Sequence, residues 1–478
     1  MKNISKNISI LFLSFSILLL CYVFYRSELH HEGTRFSYYL KYYIISFVFV
    51  IISIFSFFIR KEIKVNTLIV IFSFFFCLYL LEALILIQQP NYIKINIKKK
   101  FPGIAHKELK KKYNEYDKRT KLQIYKDLNK EDKNVSVTIY PADFVKNTSQ
   151  IFRLSGISNS KTIYCNENGY TVVYQSDRHG FNNPNTEWDK SQIEYLLIGD
   201  SFTHGACVNE ENTISGNIRR MIKEKEEKGG VLSLGYSNNG PLLELATLRE
   251  YLPHIYPKKV LWIYFEKNDL FDLNNELTNE TLLNYLNDNN FSKKLYYRQN
   301  EIDLKLRLIL SKEIQEHQRL EQSKIIKFIK LYELRTLSIE KLYKIFFVPN
   351  KPNNVITSTT LKKFSRILST SKELAEKYGA KFYFVSLPNY NWYLVNERLE
   401  YKSYDKDKKD IFSDLKNMDV TKIVKNLNIP IIDMEIELFQ KHEDPLSLLP
   451  FRSMGHYNNL GYKLIAKTII RKINELEK

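Results

Sequence analysis

Three long apolar runs in the first ninety residues constrain this chain more than any other feature. They are Ile8–Tyr25, Tyr42–Ile59 and Val65–Ile87, and Glu82 is the one charged residue within them. Each run is as long as a helix that crosses a bilayer, which needs roughly 18–20 residues. We therefore predict a three-helix transmembrane anchor in residues 1–90. A cleaved signal peptide is the alternative for the first run, but two further runs follow it and no small-residue cleavage site ends it.

The basic residues around these runs predict an orientation. Lys2 and Lys6 precede the first run, and three basic residues at positions 60–64 separate the second from the third. Basic loops favour the cytoplasmic side. This predicts a multi-pass protein of a bacterial cytoplasmic (inner) membrane, embedded in the lipid bilayer, with its large C-terminal part in the periplasm. The lysine-rich stretch at positions 94–100 opposes that orientation.

The segment between the anchor and residue 193 divides into two parts. Residues 91–134 are rich in lysine and tyrosine and are interpreted as a juxtamembrane linker. Residues 135–192 form a small β-rich lead-in, because short runs of β-branched and aromatic residues are separated there by Asn and Gly turns. These runs are Val135–Tyr140, Lys161–Cys165 and Tyr170–Tyr174.

From residue 193 to 478 short, continuous apolar runs alternate with amphipathic helical stretches. Continuous hydrophobicity is typical of strands that are covered on both faces. The pattern predicts an α/β domain with a doubly wound, mostly parallel five-stranded sheet of the flavodoxin-like type. A charged helical insertion at about 274–349 interrupts it, and either covers the site, binds a partner or is a solvated excursion. The predicted strands are Tyr195–Ile198, Val231–Leu234, Val260–Phe265, Lys381–Val385 and Ile429–Ile432.

A serine and a histidine lie where such a sheet places functional side chains, at the carboxyl ends of its strands. Ser201 follows the first strand in the run Gly199–Gly205, and a serine on a tight strand-to-helix turn presents an exposed hydroxyl beside its own backbone N–H. His456 lies in Gly455–Gly461, just before an amphipathic C-terminal helix. Taken alone, either residue could be an ordinary turn or capping residue.

Four blocks arrive in the order found in the SGNH/GDSL hydrolase superfamily, which this chain resembles from about residue 193 to its end. The blocks are Gly199–Phe202, Leu234–Pro241, Glu266–Asp269 and Gly455–His456. The resemblance implies that Ser201 is the nucleophile and His456 its general base. It also implies that Asn268, a backbone N–H near Asn238 and the Ser201 N–H hold the oxyanion. No cofactor and no metal are implied.

The chain departs from the family pattern at three positions. Asn238 replaces a glycine, and asparagine is among the residues that best tolerate the backbone geometry required there. Glu266 replaces a second glycine. Ser453 stands where the family commonly has the aspartate that orients the histidine. Either the enzyme works as a Ser–His dyad, a backbone carbonyl orients the imidazole, or another carboxylate does, with Asp444 and Asp433 the nearest upstream candidates.

Two of the four cysteines fall in the predicted periplasmic part. Cys165 and Cys207 match no metal-binding spacing. Outside the cytoplasm a disulfide between them is permitted, and two free thiols are the alternative.

These features together predict a serine esterase or O-acyltransferase, acting on O-acetyl groups of an extracytoplasmic glycan or glycolipid. A transferase would need a membrane partner that supplies the acyl donor. The alternative is a catalytically degenerate SGNH-like module, tethered to the membrane, that binds glycan or scaffolds an assembly. The net charge of +18 does not indicate nucleic-acid binding, since the lysines are scattered among glutamates without a basic stripe.

Overall fold

The structure is a computed structural model that describes residues 2–29, 36–88, 116–144, 153–226, 228–322, 356–389, 420–452 and 455–478. The described residues belong to two compact units, which are considered separately. One contains the N-terminal helices and the other contains the two β-sheets.

The described residues of the N-terminal unit form three α-helices, at the positions of the three apolar runs. They are α1 (Lys2–Phe24), α2 (Phe36–Phe55) and α3 (Lys61–Gln88). Two stretches in the described part of the chain, Asn7–Leu29 and Tyr39–Phe58, are long and apolar enough to cross a membrane. The third predicted run is helical, as α3, but is not among these two stretches. The expectation of three spans is therefore met for two of them.

The lead-in segment folds into a small three-stranded sheet preceded by helix α4 (Lys121–Glu131). Its strands are β1 (Val135–Val137), β2 (Lys161–Ile163) and β3 (Val173–Gln175). Strand β2 lies in the middle, parallel to β1 and antiparallel to β3. Each strand is only three residues long, so few backbone hydrogen bonds join the strands of this sheet.

The large domain contains the five-stranded parallel sheet that the sequence predicts. The strand order is β5-β4-β6-β7-β8, and all four neighbouring pairs are parallel. The strands are β4 (Ile193–Gly199), β5 (Gly230–Ser233), β6 (Lys259–Phe265), β7 (Lys381–Leu387) and β8 (Ile431–Asp433).

Alternate side chains of these strands are buried on opposite faces of the sheet. In β4, Leu196 and Ile198 belong to one hydrophobic core and Tyr195 and Leu197 to the other. Helices therefore cover both faces, which is why each strand is continuously apolar. In the part of the chain that the structure describes, the α-helices from residue 201 onward are α5 (Ser201–His204), α6 (Ile214–Glu224), α7 (Pro241–Ile255), α8 (Asp269–Glu276), α9 (Glu280–Asn287), α10 (Gln299–Gln322), α11 (Ser358–Lys377), α12 (Val420–Asn426), α13 (Met434–Glu437) and α14 (Asn459–Leu476).

The described part of the 274–349 insertion packs against the domain. It comprises α9 and α10, and Leu282, Leu286 and Leu306 are buried in the core cluster that lies on one face of the sheet. This part is therefore not a solvated excursion. The remainder of the insertion lies outside the described residues.

Candidate active site

The nucleophile turn is fixed by two residues that precede the serine. Asp200 caps helix α5, since its Oδ1 accepts the Phe202 N–H at 2.8 Å. Gly199 ends β4, and a Cβ there would lie 2.2 Å from the Thr203 hydroxyl oxygen. Glycine is therefore required before the capping aspartate, and Ser201 starts the helix at the carboxyl end of β4.

His456 lies against this serine. Its Nε2 is 2.7 Å from Ser201 Oγ, a hydrogen-bond distance. The imidazole packs on the Phe202 ring at 4.8 Å between centroids. The loop that carries it leads into α14, where Asn458 Oδ1 accepts the Gly461 N–H at 3.0 Å and caps the helix. Two side chains 255 residues apart in sequence thus have the geometry that a serine nucleophile and its base require.

The other ring nitrogen of His456 faces Glu167, a residue that the sequence did not single out. Nδ1 is 3.1 and 3.0 Å from the two Glu167 carboxylate oxygens. The His456 backbone N–H also donates to Glu167 Oε2 at 2.6 Å. A Cβ on Gly455 would lie 2.7 Å from that same oxygen, so the glycine before the histidine makes room for the carboxylate. Ser201, His456 and Glu167 form a continuous hydrogen-bonded chain.

The two aspartates proposed as orienting acids are engaged elsewhere, and that prediction was wrong. Asp444 forms an ion pair with Arg452. Asp433 caps the short helix α13, accepting the Glu435 N–H at 2.9 Å. Both were chosen because they precede His456 closely in sequence, whereas the contact that orients the ring spans 289 residues. Ser453 lies outside the described residues.

A disulfide explains how Glu167 comes close to the nucleophile. Cys165 and Cys207 are bonded, with their Cα atoms 5.1 Å apart. Cys165 precedes Glu167 by two positions and Cys207 follows Ser201 by six. The permitted bridge is therefore present, and it joins the lead-in segment to the domain beside the site. A disulfide between these two cysteines brings the residues near Cys165 close to those near Ser201. This pairing is the sequence signal that indicates Glu167 as a candidate acid.

The charge of Glu167 changes the titration of the histidine. Burial alone would lower the pKa of His456, but the adjacent Glu167 carboxylate, together with the negative charge of Asp200, outweighs burial, and the pKa lies above its ordinary value. Both side chains are mostly buried, with 24% of His456 and 17% of Glu167 exposed. The imidazole is therefore a stronger base than a free histidine.

Of the two asparagines predicted to serve the oxyanion, Asn268 contacts the serine block directly, and Asn238 follows by two positions the residue Tyr236, whose N–H bonds the Gly199 carbonyl. Asn238 is exposed and has a φ of 63°, the left-handed conformation for which a glycine is usual. Asn268 Nδ2 donates to Asp200 Oδ2 at 3.2 Å and to Asp272 Oδ2 at 2.8 Å. Glu266, in place of the family's glycine, accepts the Asn389 N–H at 3.2 Å and so ties this loop to the end of β7.

Buried carboxyl groups lie behind the oxyanion asparagines. Burial raises the pKa of Asp272 to about 7 and that of Glu276 to about 8. Glu276 accepts the Gly240 N–H at 2.6 Å and the Leu242 N–H at 2.9 Å. It therefore joins helix α8, which follows Asn268, to the start of α7, which follows Asn238. The raised pKa values reduce the negative charge that these groups would otherwise place near a developing oxyanion.

Other residues near the serine have structural partners. The His204 ring is stacked between Tyr164 and Tyr236, with centroids 4.4 and 4.5 Å away. Burial lowers the pKa of His204 to about 3, so it is neutral and part of the core. Ligand atoms of Glu167, Cys207 and His456 lie within 4.8 Å of one another. The Cys207 sulfur is bonded in the disulfide, so it is not a thiolate and cannot serve as the third metal ligand.

The four sequence blocks meet at the carboxyl edge of the sheet. The second block joins the first through the Tyr236 N–H, which donates to the Gly199 carbonyl at 3.1 Å. The third joins the first through Asn268 and Asp200, and the fourth through His456. The four blocks therefore lie together, as the resemblance seen in the sequence implies. The acid that faces His456 departs from the family pattern, because it comes from the lead-in segment rather than from the loop before the histidine.

Comparisons with known proteins give matches among solved structures. No family model and no curated protein sequence matches the chain. A crystal structure of the psychrotrophic esterase EstA from Pseudoalteromonas sp. matches at 10% identity, covering 60% of this chain and 98% of that one, with a TM-score of 0.30. The lipase/acylhydrolase from Enterococcus faecalis matches at 12% identity, covering 59% of this chain and 95% of that one, with a TM-score of 0.31.

Proposed function

We propose that this protein is a serine-dependent esterase or O-acyltransferase, with Ser201 as nucleophile, His456 as general base and Glu167 as the acid that orients it. The observation that carries the proposal is the 2.7 Å contact between His456 Nε2 and Ser201 Oγ, with Glu167 bound to the opposite ring nitrogen. This is the arrangement of a nucleophile, its base and an orienting acid.

The reaction proceeds in two acyl transfers. Ser201 Oγ attacks the ester carbonyl carbon while His456 Nε2 takes the hydroxyl proton. The tetrahedral intermediate then breaks its bond to the alcohol oxygen, which leaves with the proton from His456, and an acyl-serine remains. In the second transfer His456 deprotonates water or a sugar hydroxyl, whose oxygen attacks the acyl carbon. The bond from that carbon to Ser201 Oγ then breaks, and His456 returns the proton to Ser201 Oγ. Hydrolysis releases the carboxylic acid, and transfer to a sugar forms a new ester.

The oxyanion of each intermediate is held by the Ser201 N–H, the Asn268 amide and a backbone N–H near Asn238. Asn268 Nδ2 uses its two hydrogens on Asp272 and, over a longer distance, on Asp200. The 3.2 Å bond to Asp200 is the weaker one, so its hydrogen turns to the substrate oxyanion. The bond to Asp272 then keeps the amide in place, which is the preorganisation that stabilises developing charge.

The location and substrate extend this proposal. Helices α1 to α3 anchor the protein in a bacterial inner membrane, with α3 as the third span and the catalytic domain in the periplasm. The basic residues near the N-terminus support this orientation, and so does the Cys165–Cys207 disulfide, since disulfides persist outside the cytoplasm. The substrate proposed is an O-acetylated glycan or glycolipid on that side of the membrane. As a transferase, the protein would receive its acyl group from a membrane partner.

The alternative function, a degenerate module that binds glycan or scaffolds an assembly, follows from Ser453, which replaces the aspartate that orients the histidine in the family. Glu167 supplies a carboxylate to the same ring nitrogen. This contact favours the enzyme.

The test is covalent labelling of the full-length protein in detergent with a fluorophosphonate, together with turnover of a small acetyl ester. Wild type is expected to label and turn over, and Ser201→Ala is expected to do neither. Ser311→Ala is the matched control, because Ser311 is an exposed helical serine whose hydroxyl bonds only a backbone carbonyl in the described structure. Absence of both labelling and turnover in folded wild type would contradict the proposal. For the orientation, a reporter fused after Lys478 that is active only in the cytoplasm would contradict the periplasmic placement.

A further inference from the structure

The Cys165–Cys207 disulfide lies directly beside the catalytic residues. The Cys207 sulfur, a Glu167 carboxylate oxygen and a His456 ring nitrogen lie within 4.8 Å of one another. Cys207 is fully buried and has a φ of 61°. The bridge therefore connects the acid-bearing turn to the chain that leaves the nucleophile helix, at the level of the acid–base contact itself.

Hydrogen bonds also hold the Glu167 turn on both of its sides. Asn168 Nδ2 donates to the Cys207 carbonyl at 2.8 Å, and this bond ends on the same cysteine as the disulfide. On the other side, Asp117 ties the turn to the membrane-proximal segment. Its backbone N–H donates to the Gly169 carbonyl at 2.7 Å, and its carbonyl accepts from Asn166 Nδ2 at 3.0 Å. Without the covalent bond, the turn would be held to the nucleophile side by non-covalent contacts alone, among them the hydrogen bonds of Asn168 and of Glu167 itself.

The rest of the lead-in sheet stays packed without the bridge. Tyr164 and Tyr174 form a small core with Val172 and Ala206. His204 also stacks on Tyr164. Loss of the disulfide is therefore expected to loosen the turn that carries Glu167 while the sheet beneath it stays in place. The effect should fall on the position of the acid and not on the fold.

We propose that the Cys165–Cys207 disulfide positions Glu167 against His456, so that the protein reaches full activity only when this bridge is formed. The inference rests on the proposed function, because it assigns a role in that reaction. Glu167 acts through His456 and is a positioning residue, and the disulfide positions Glu167 in turn. The catalytic site is then complete only after the protein has been exported to an oxidising compartment, where the bridge forms.

The test compares oxidised and reduced full-length protein in detergent. Dithiothreitol donates two electrons and two protons to the bridge, giving two thiols on the protein and a cyclic disulfide of the reagent. Reduction is expected to lower kcat for a small acetyl ester by at least about tenfold, up to the roughly 10⁴-fold loss that removal of a triad acid produces. The Cys165→Ser/Cys207→Ser double variant should show the same loss without reductant. A Cys21→Ser/Cys77→Ser variant, which lacks only the two remaining cysteines, should respond to reduction as wild type does.

The Glu167→Gln variant separates positioning from general damage. If the bridge acts through Glu167, reduction should leave the already low kcat of this variant unchanged within about twofold, since coupled sites are non-additive. Two outcomes overturn the proposal. One is full wild-type kcat after thiol titration shows that the bridge is open. The other is an equal loss in Glu167→Gln, which is also the result expected if reduction merely unfolded the domain.

A readout without turnover keeps this inference distinct from the proposed function. The titration of His456, followed by NMR of labelled histidine and assigned with a His456→Gln variant, reports whether Glu167 is in place. Reduction should lower the pKa of His456, because the attraction of the carboxylate weakens while burial persists. An unchanged pKa overturns the positioning role even if the protein is active. A lowered pKa in a protein that neither labels nor turns over supports the positioning role and contradicts the enzyme.

Discussion

Replacing Glu167 by glutamine removes one negative charge from the site and little else. The carboxylate lies 3.0 Å from His456 Nδ1. At an effective dielectric constant of about 20, two unit charges at that distance attract by about 5 kcal/mol, which corresponds to roughly 10⁴ in rate. The side chains are 17% and 24% exposed, so solvent screens part of this attraction. We therefore expect kcat of Glu167→Gln to fall by about 10² to 10⁴, with little change in KM.

The pH profile of this variant should shift in a defined direction. His456 acts as a base only when neutral, so activity falls as pH drops through its pKa. In wild type Glu167 holds that pKa above its ordinary value. In Glu167→Gln the attraction is lost and burial remains, so the acid limb of kcat/KM should move to lower pH. The assay is turnover of a small acetyl ester across the pH range in which histidine titrates.

The matched control is Glu373→Gln, which changes an exposed glutamate bonded to Ser369 on helix α11. It should leave kcat and its pH profile unchanged. The reasoning is refuted if Glu167→Gln retains kcat within about twofold of wild type and keeps the wild-type acid limb.

Three further substitutions test other parts of the site. Asn268→Ala should lower kcat by about 10² to 10³ with little change in KM, as measured by ester turnover. Asn275→Ala, which alters an exposed asparagine on helix α8, should not lower kcat. An equal loss of kcat in the two variants would exclude the oxyanion role of Asn268. Gly199→Ala places a Cβ 2.2 Å from the Thr203 hydroxyl oxygen, so labelling by a fluorophosphonate should drop, and overpacking should cost about 1–3 kcal/mol of stability; wild-type labelling and thermal unfolding would contradict this. The pKa of Glu276 is raised to about 8 in the folded state, so ionisation of Glu276 destabilises the fold as pH rises from the pKa of the unfolded chain through 8. The thermal midpoint should decline less steeply over that pH range in Glu276→Gln, and an unchanged slope would contradict the raised pKa.

The main sheet was predictable because its signals are local. Each parallel strand appears in the sequence as a continuous apolar run, and strands covered on both faces require that pattern. Ser201 and His456 were predictable because their blocks follow a strand and precede a helix. The left-handed backbone at Asn238 fits the glycine that the family has at this position and the tolerance of asparagine for that conformation.

Glu167 was not predictable in the same way, because its role depends on a tertiary contact and not on a local pattern. It lies 289 residues before His456, in a segment assigned to a separate lead-in sheet. Proximity in sequence to Ser453 and His456 favours Asp444 and Asp433 instead. The disulfide partner of Cys165 was the one sequence feature that connected this segment to the nucleophile. Similarly, the charge of the 274–349 insertion concealed the buried leucines on α9 and α10.

The central claim is that Ser201 carries the acyl group during turnover. The most direct measurement is mass spectrometry of the full-length protein, quenched with acid during turnover of an activated acetyl ester and digested into peptides. One added acetyl group is expected on Ser201, absent from Ser201→Ala and longer-lived in Glu167→Gln, where His456 is a poorer base for the second transfer. Turnover by wild type with no acetylated Ser201 at any quench time, together with equal turnover by Ser201→Ala, would contradict it.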